Sequence, residues 1–168
     1  MANVEDIKDN EVPEGFTLGL ALVDAVPVIV FSLSVLVITL RFRKVLFVMG
    51  ALCSIFAGCG KVVWKMILAC RKKNILWLNK QFRYIMSIGF LLMLLSVIVN
   101  WGSIQFTAIL RRILSFPAVL FFILGIAGMA AMAVMGRKLD PTIPKNNWKE
   151  QITNAIAQVL LLIGVLLW

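Results

Sequence analysis

Apolar residues run along this chain in long unbroken blocks, covering about residues 16–40, 45–69, 82–101, 113–135 and 148–168. A block of about 20 residues, wound as a helix rising 1.5 Å per residue, matches the ~30 Å hydrocarbon thickness of a bilayer. The bilayer interior offers no partner for a free backbone N–H or C=O, so each block is predicted to close its hydrogen bonds within itself as an α-helix. The predicted fold is therefore all-α, a polytopic transmembrane helical bundle of five spans. The spans form one domain, residues 16–168, preceded by a tail, residues 1–15.

Two blocks depart from this pattern. The second is uncharged only over residues 45–60 before Lys61 interrupts it, a length that also suits a re-entrant or buried helix. The fifth is diluted by Asn154 and Gln158. Should the second block not cross, four spans remain.

Composition supports the membrane reading and narrows it. Of the 168 residues, 61% are hydrophobic and 15% charged, with a mean hydropathy of +0.97, whereas soluble domains are about 45–50% apolar and about 25% charged. Five spans use up most of the length, which leaves no room for a separate soluble domain. Glu5, Asp6, Asp9, Glu11 and Glu14 outnumber Lys8 in the tail, the reverse of a secretory signal, so the tail is expected to be retained, solvated and mobile.

The net charge of +9 is spread over both faces and flanks apolar helices, which argues for anionic lipid headgroups as partners and against nucleic acid. With alternating spans, one face receives Lys8, Arg71, Lys72, Lys73, Lys80, Arg83, Arg137, Lys138, Lys145 and Lys149. The other receives Arg41, Arg43, Lys44, Arg111 and Arg112. Ten against five favours a cytoplasmic N-terminus in a cell membrane, although the first span alone argues the opposite way. The stretch over residues 71–83, RKKNILWLNKQFR, mixes cations with Trp77 and aliphatic residues and reads as a segment lying in the headgroup plane.

Ionisable groups at membrane depth are costly, so Asp24, Lys61 and Lys65 are the first candidates for function. Counted from the span ends at residues 16 and 69, Asp24 and Lys61 lie about 12 Å deep below the same face, with Lys65 one turn nearer the surface. That register predicts an Asp24–Lys61 pair with Lys65 behind it. Asn154 and Gln158, four residues apart on the fifth span, begin from the same face and complete a candidate ligand- or ion-binding set. Pro27, one turn after Val23, is expected to free the Val23 carbonyl beside Asp24. The opposite half of the bundle, around residues 35–40, 45–50 and 160–167, is almost purely apolar, which suggests a polar vestibule open to one face.

Other chemistry is limited by what the sequence lacks. The chain has no histidine, and Asp24 is the only acid deep inside a span, Glu150 lying at the edge of the fifth, so neither paired carboxylates nor a histidine base is available. No metal site and no cofactor is called for, and enzymatic activity is not favoured, a membrane-embedded enzyme with a Ser or Cys nucleophile activated by Lys61 ranking as a third reading. Cys53, Cys59 and Cys70 lack CxxC spacing and read as three buried thiols. The GCGK segment over residues 58–61 fails as a phosphate loop, because Ile55 and Val62 occupy positions that need Gly and Ser or Thr.

Small residues form two faces suited to close packing or association. One carries Gly50, Ala51, Ser54, Ala57, Gly58 and Gly60; the other carries Gly125, Ala127, Gly128, Ala130, Ala131 and Ala133. In the last connection, Asp140, Pro141 and Pro144 set a turn and Asn146 or Asn147 is placed to cap the final helix.

Two functional expectations follow. One is a small transporter, channel or solute-binding membrane subunit, with Asp24, Lys61, Lys65, Asn154 and Gln158 around a small polar or anionic solute. The other is a non-catalytic assembly protein whose polar groups only hold the bundle. Five spans leave little room for two-sided gating, so both imply a homo-oligomer or a partner membrane subunit.

Overall fold

The computed structural model describes residues 17–139 and 143–168. These contain six α-helices: α1 (Leu18–Phe42), α2 (Val45–Arg71), α3 (Leu76–Val99), the short α4 (Phe106–Ile113), α5 (Ala118–Lys138) and α6 (Pro144–Leu167), with a 3-10 turn at Trp101–Ser103 between α3 and α4. All but α4 are long and apolar enough to cross a membrane. The protein is an integral membrane protein with five such helices, and the second block is one continuous helix of 27 residues. The expectation of a mobile acidic tail, and of a turn set by Asp140 and Pro141, lies outside the described residues.

Local chemistry explains several boundaries. The Thr17 hydroxyl accepts from the Leu20 N–H at 3.3 Å and caps α1. Arg43 (φ 42°) and Lys72 (φ 50°) end α1 and α2 in the left-handed conformation. That conformation costs a non-glycine residue about 1–2 kcal/mol, but a cation there faces the partial negative charge of a helix C-terminus. Helix α6 begins at Pro144, earlier than expected, because proline suits a first helical turn whose N–H has no acceptor. Asn146 and Asn147 therefore sit inside the first turn, and Ile143 occupies the cap position.

Two further expectations are corrected. The stretch 71–83 is not an in-plane segment: its second half forms the opening turns of α3, which starts at Leu76 instead of residue 82. The fourth block starts after Pro117, and the residues before it form the separate helix α4.

In space the packed neighbours run in the order α3, α2, α1, α6, α5, with α2–α3 and α5–α6 the most extensive interfaces. Glycine allows the closest approaches. A Cβ added to Gly50 would meet the Gly89 carbonyl at 2.6 Å and the Met93 backbone N at 2.9 Å; on Gly128 it would meet the Ala157 Cβ at 2.8 Å. The first small-residue face thus packs against α3 at Gly50 and Gly60 and against Val28 of α1 at Gly58. On the second, Gly125 is buried against α6 while Ala127, Ala130, Ala131 and Ala133 point outward.

Val35, Phe47, Ala51 and Met93 form a buried apolar cluster, joined by Phe31, Ile38 and Phe42. It fills the half of α1–α2–α3 toward the face where α1 ends. Helix α1 passes through the buried Pro27 without a break. Cys53 is half-buried, but Cys59 and Cys70 are exposed, so the expectation of three buried thiols holds for none in full.

A candidate one-sided cationic vestibule

Most hydroxyls within the spans are satisfied locally, the exception being Ser96 on α3, whose Oγ is buried without a partner. Ser32, Ser34, Thr39 and Ser54 each donate to the carbonyl four residues back, at 2.7–3.0 Å, as a hydroxyl in lipid must when no water is present. The ions and amides have no such local partner and need neighbouring helices.

Asp24 lies in the buried stripe of α1, and its Oδ1 is 2.5 Å from the Lys65 Nζ; this is the one ion pair among the described residues. The expected Asp24–Lys61 pair is thereby corrected by one helical turn. Helix α1 starts two residues later than its apolar block, and α2 ends two residues beyond its own, at Arg71. Asp24 is then six residues in from Leu18 and Lys65 six back from Arg71, each about 9 Å deep at 1.5 Å per residue. The two displacements add up to one turn, which moves the match from Lys61 to Lys65.

Lys61, about 15 Å in from Arg71 by the same measure, is left to other company. Its Nζ lies 4.3 Å from the centre of the Phe82 ring on α3, a cation–π contact. It also lines a hollow of about 660 Å³ on the flank of α3, together with Lys80, Arg83, Tyr84, Ser87 and Phe90. Phe90, the deepest of these along α3, packs its ring 6.2 Å from that of Phe31 on α1. Among the described residues no acid lines the hollow, and the nearby Asp24 carboxylate is paired with Lys65.

The amides of α6 sit at a matching level. A Cβ on Gly19 would lie 3.7 Å from the Trp148 ring, so Gly19 and Trp148 mark the same height. Asp24 is five residues beyond the first and Asn154 six beyond the second, about 8 and 9 Å respectively. Asn154 and Gln158 nevertheless do not bond the ion pair. Gln158 Nε2 donates weakly to Met129 Sδ on α5 at 3.5 Å, and Asn154 Oδ1 is buried without a partner. The structure brings Asp24, Lys61 and Lys65 together and leaves Asn154 and Gln158 at the α6 side of the row.

Two polar residues belong to this layer that the pattern of the sequence did not single out. Gln81 is buried between α3 and α2, with Nε2 3.5 Å from the Ala57 carbonyl and Oε1 unpartnered. Its side chain fills the space that a Cβ on Gly60 would take. Gln151, three residues before Asn154, has a buried, unpartnered Oε1. Gln81 fell outside the apolar block because charged neighbours put the block's edge at residue 82. Gln151 was masked by its nearness to Lys149 and Glu150. Its spacing of three and seven from Asn154 and Gln158 was the available signal.

No metal-binding cluster of His, Cys, Asp or Glu occurs among the described residues. What the arrangement offers is a set of cations, hydroxyls and aromatic faces open to one side, of which Lys61 is held over the Phe82 ring. The chain matches no family model, and no curated protein or solved structure is significantly similar to it.

Proposed function

We propose that this protein is a solute-binding membrane subunit, a transporter or channel component, that takes a small anionic solute into the vestibule lined by Lys61, Lys80 and Arg83. The observation that carries this reading is the division of labour between the two lysines of α2. Lys65 pairs directly with Asp24, whereas Lys61 reaches the cavity, where two further cations line it and, among the described residues, no acid does. Bare like charges at membrane depth are unfavourable, and an anion with several oxygen acceptors relieves them. Tyr84 and Ser87 supply hydroxyl donors to the same guest. Asp24 and Lys65 act as positioning groups, and Asn154 and Gln158 complete the polar layer on the α6 side.

Both end helices of the row, α3 and α5, bury little of their surface within the chain, which fits a subunit that associates with a second copy or another membrane chain. The assignment to a cell membrane with a cytoplasmic N-terminus belongs to the same proposal.

The test uses the full chain in detergent and in proteoliposomes, probed separately with inorganic phosphate, a monocarboxylate and a dicarboxylate. At least one anion is expected to bind, and Lys61→Gln to weaken that binding by about tenfold or more, the loss of one charge-assisted hydrogen bond, while the variant stays folded. Unchanged binding in Lys61→Gln would sink the reading. A second reading, a non-catalytic assembly protein with a purely structural polar layer, is favoured by the Lys61–Phe82 contact, which gives Lys61 a partner of its own. It predicts that no anion binds and that Lys61→Met raises stability.

A further inference from the structure

The eight acidic residues of the sequence are Glu5, Asp6, Asp9, Glu11, Glu14, Asp24, Asp140 and Glu150. Of the two that the structure describes, Asp24 lies in the first half of α1 and Glu150 in the second turn of α6, both in the half of the bundle toward the face where α1 begins. At the opposite face, where α1 ends, stand Arg41, Arg43, Lys44, Arg111 and Arg112, with no Asp or Glu among them.

Three of those cations converge. A hollow of about 700 Å³ lies between the end of α1, helix α4 and Trp168, and Arg41, Arg43 and Arg112 all line it, with Gln105 and Ile109. Two of the arginines are held in place by the fold. Arg41 stacks its guanidinium 5.0 Å over the Trp168 ring and donates from Nη2 to the Leu166 carbonyl at 3.5 Å. Arg43, fixed by its left-handed backbone, donates from Nε to the Leu40 carbonyl at 2.9 Å. Each contact engages one part of the guanidinium and leaves further N–H donors for a guest.

The setting matches the headgroup region of a bilayer. Helix α4 has eight residues, too few to cross, and places Phe106, Ile109, Leu110 and Ile113 at helical spacing along one side, with Arg111 and Arg112 on the other. Such a helix lies in the interface with its apolar side toward the acyl chains. It is only lightly packed on α5, so its own chain does not account for where it rests. Arginine pairs bidentately with phosphate oxygens, and Leu40, Ile109 and Trp168 offer apolar walls beside the cations.

We infer that this hollow is a binding site for the phosphate of an anionic phospholipid, drawn from the leaflet at the face where α1 ends and clamped by Arg41, Arg43 and Arg112. The site is separate from the vestibule, being at the opposite face, and stands whether or not the vestibule binds a solute.

The experiment is titration of the full chain, in a neutral detergent, with short-chain phosphatidylglycerol, short-chain phosphatidylcholine and inorganic phosphate, followed by native mass spectrometry. Phosphatidylglycerol is expected to bind about tenfold or more tighter than phosphatidylcholine, and Arg41→Gln and Arg112→Gln each to reduce that preference by about tenfold, as for loss of a charge-assisted contact. Arg111→Gln removes an equal charge from the same helix outside the hollow and is expected to change binding less than about twofold, as a solvated rim charge does. Should Arg41→Gln fail to fold for want of the Leu166 contact, the pair Arg112→Gln and Arg111→Gln carries the test alone. Equal losses in those two variants, equal binding of the two lipids, or competition by inorganic phosphate at the concentration of the lipid would each overturn the assignment.

Discussion

The two helix pairs at opposite ends of the row, α2–α3 and α5–α6, are both drawn close by glycine, but they differ in what meets the glycine and in what the neighbouring polar groups find. At Gly50 and Gly89 the opposing atoms are largely backbone, and α2 sends Lys65 across to a charged partner on α1. At Gly125 the nearest atoms belong to the Leu161 side chain, and deeper in α6 Gln158 finds only a thioether and the Asn154 Oδ1 nothing. One end is therefore rigidly specified, by contacts that cannot yield and a charge that must be matched. The other is adjustable at Gly125, where a side chain can rotate, though not at Gly128, which meets the Ala157 Cβ. Buried polar atoms without a partner occur at both ends, Gln81 Oε1 and Ser96 Oγ on α3 and Asn154 Oδ1 on α6.

The largest expected effect separates the two ends by charge. Lys65→Met strands the Asp24 carboxylate in a buried site, and breaking a buried pair in this way destabilises by about 3–5 kcal/mol. The double variant Asp24→Leu with Lys65→Met removes both charges and is expected to regain most of that loss. Unfolding of the purified protein in a denaturing-detergent titration gives both values. A double variant no more stable than Lys65→Met would show that Asp24 does not depend on Lys65.

A smaller contrast is expected from sterics. Gly50→Ala drives a methyl into the Gly89 carbonyl and the Met93 backbone, neither of which can move alone, so a loss of about 3 kcal/mol is expected, at the upper end for overpacking. Gly125→Ala presses on Leu161 Cγ at 2.6 Å and Cδ2 at 2.7 Å, which a rotamer change relieves, and about 1 kcal/mol is expected. Thermal midpoints of the two variants under identical detergent conditions rank them. The reverse ranking would mean that the α5–α6 end is the rigid one.

The same contrast explains what could be read from the sequence. Five spans follow from the length and apolarity of the blocks, because a bilayer imposes one thickness on all of them. The one-sided placement of Asp24, Lys61 and Lys65 also follows, since it needs only direction and depth. The identity of the pair did not, because a two-residue displacement at each helix end shifts the match by a full turn, and helix ends depend on caps such as Thr17 and on left-handed turns such as that at Lys72. Helix α4 was hidden for a similar reason: its apolar residues merge with the fourth block, and only Pro117 divides them. The burial of Gln81 depends on Gly60 of another helix, a relation between distant positions that no local pattern carries.

The unpartnered amide oxygen of Asn154 can be tested next. Asn154 Oδ1 is buried without a hydrogen-bond partner, so Asn154→Leu removes a polar group that gains nothing in the folded chain and adds apolar contact. A stability change within about 0.6 kcal/mol of zero, the average weight of an interhelical hydrogen bond in a membrane, is expected from equilibrium unfolding. A loss beyond about 2 kcal/mol, the range for orphaning a buried partner, would mean that Asn154 is bonded to something in the purified protein, and the two ends of the row would then be equally specified.

The weakest effect is expected at the outer edge of that adjustable end. Among the described residues, nothing beyond its chain neighbours and the backbone of α5 lies within 4 Å of a Cβ built on Gly136, which is exposed near the end of that helix. Gly136→Ala is expected to gain up to about 1 kcal/mol from helix propensity alone, less for a position in the last turn, because the folded chain presses nothing against that side. Gly136→Leu asks the sharper question. A lipid-facing position accepts the larger side chain with no change in thermal midpoint or in the mass of the protein–detergent particle, whereas a position facing a second copy or another subunit loses the close approach that glycine permits. A fall in particle mass in Gly136→Leu, with the monomer still folded, would place a partner against α5 and give the adjustable end of the row a rigid contact made between chains.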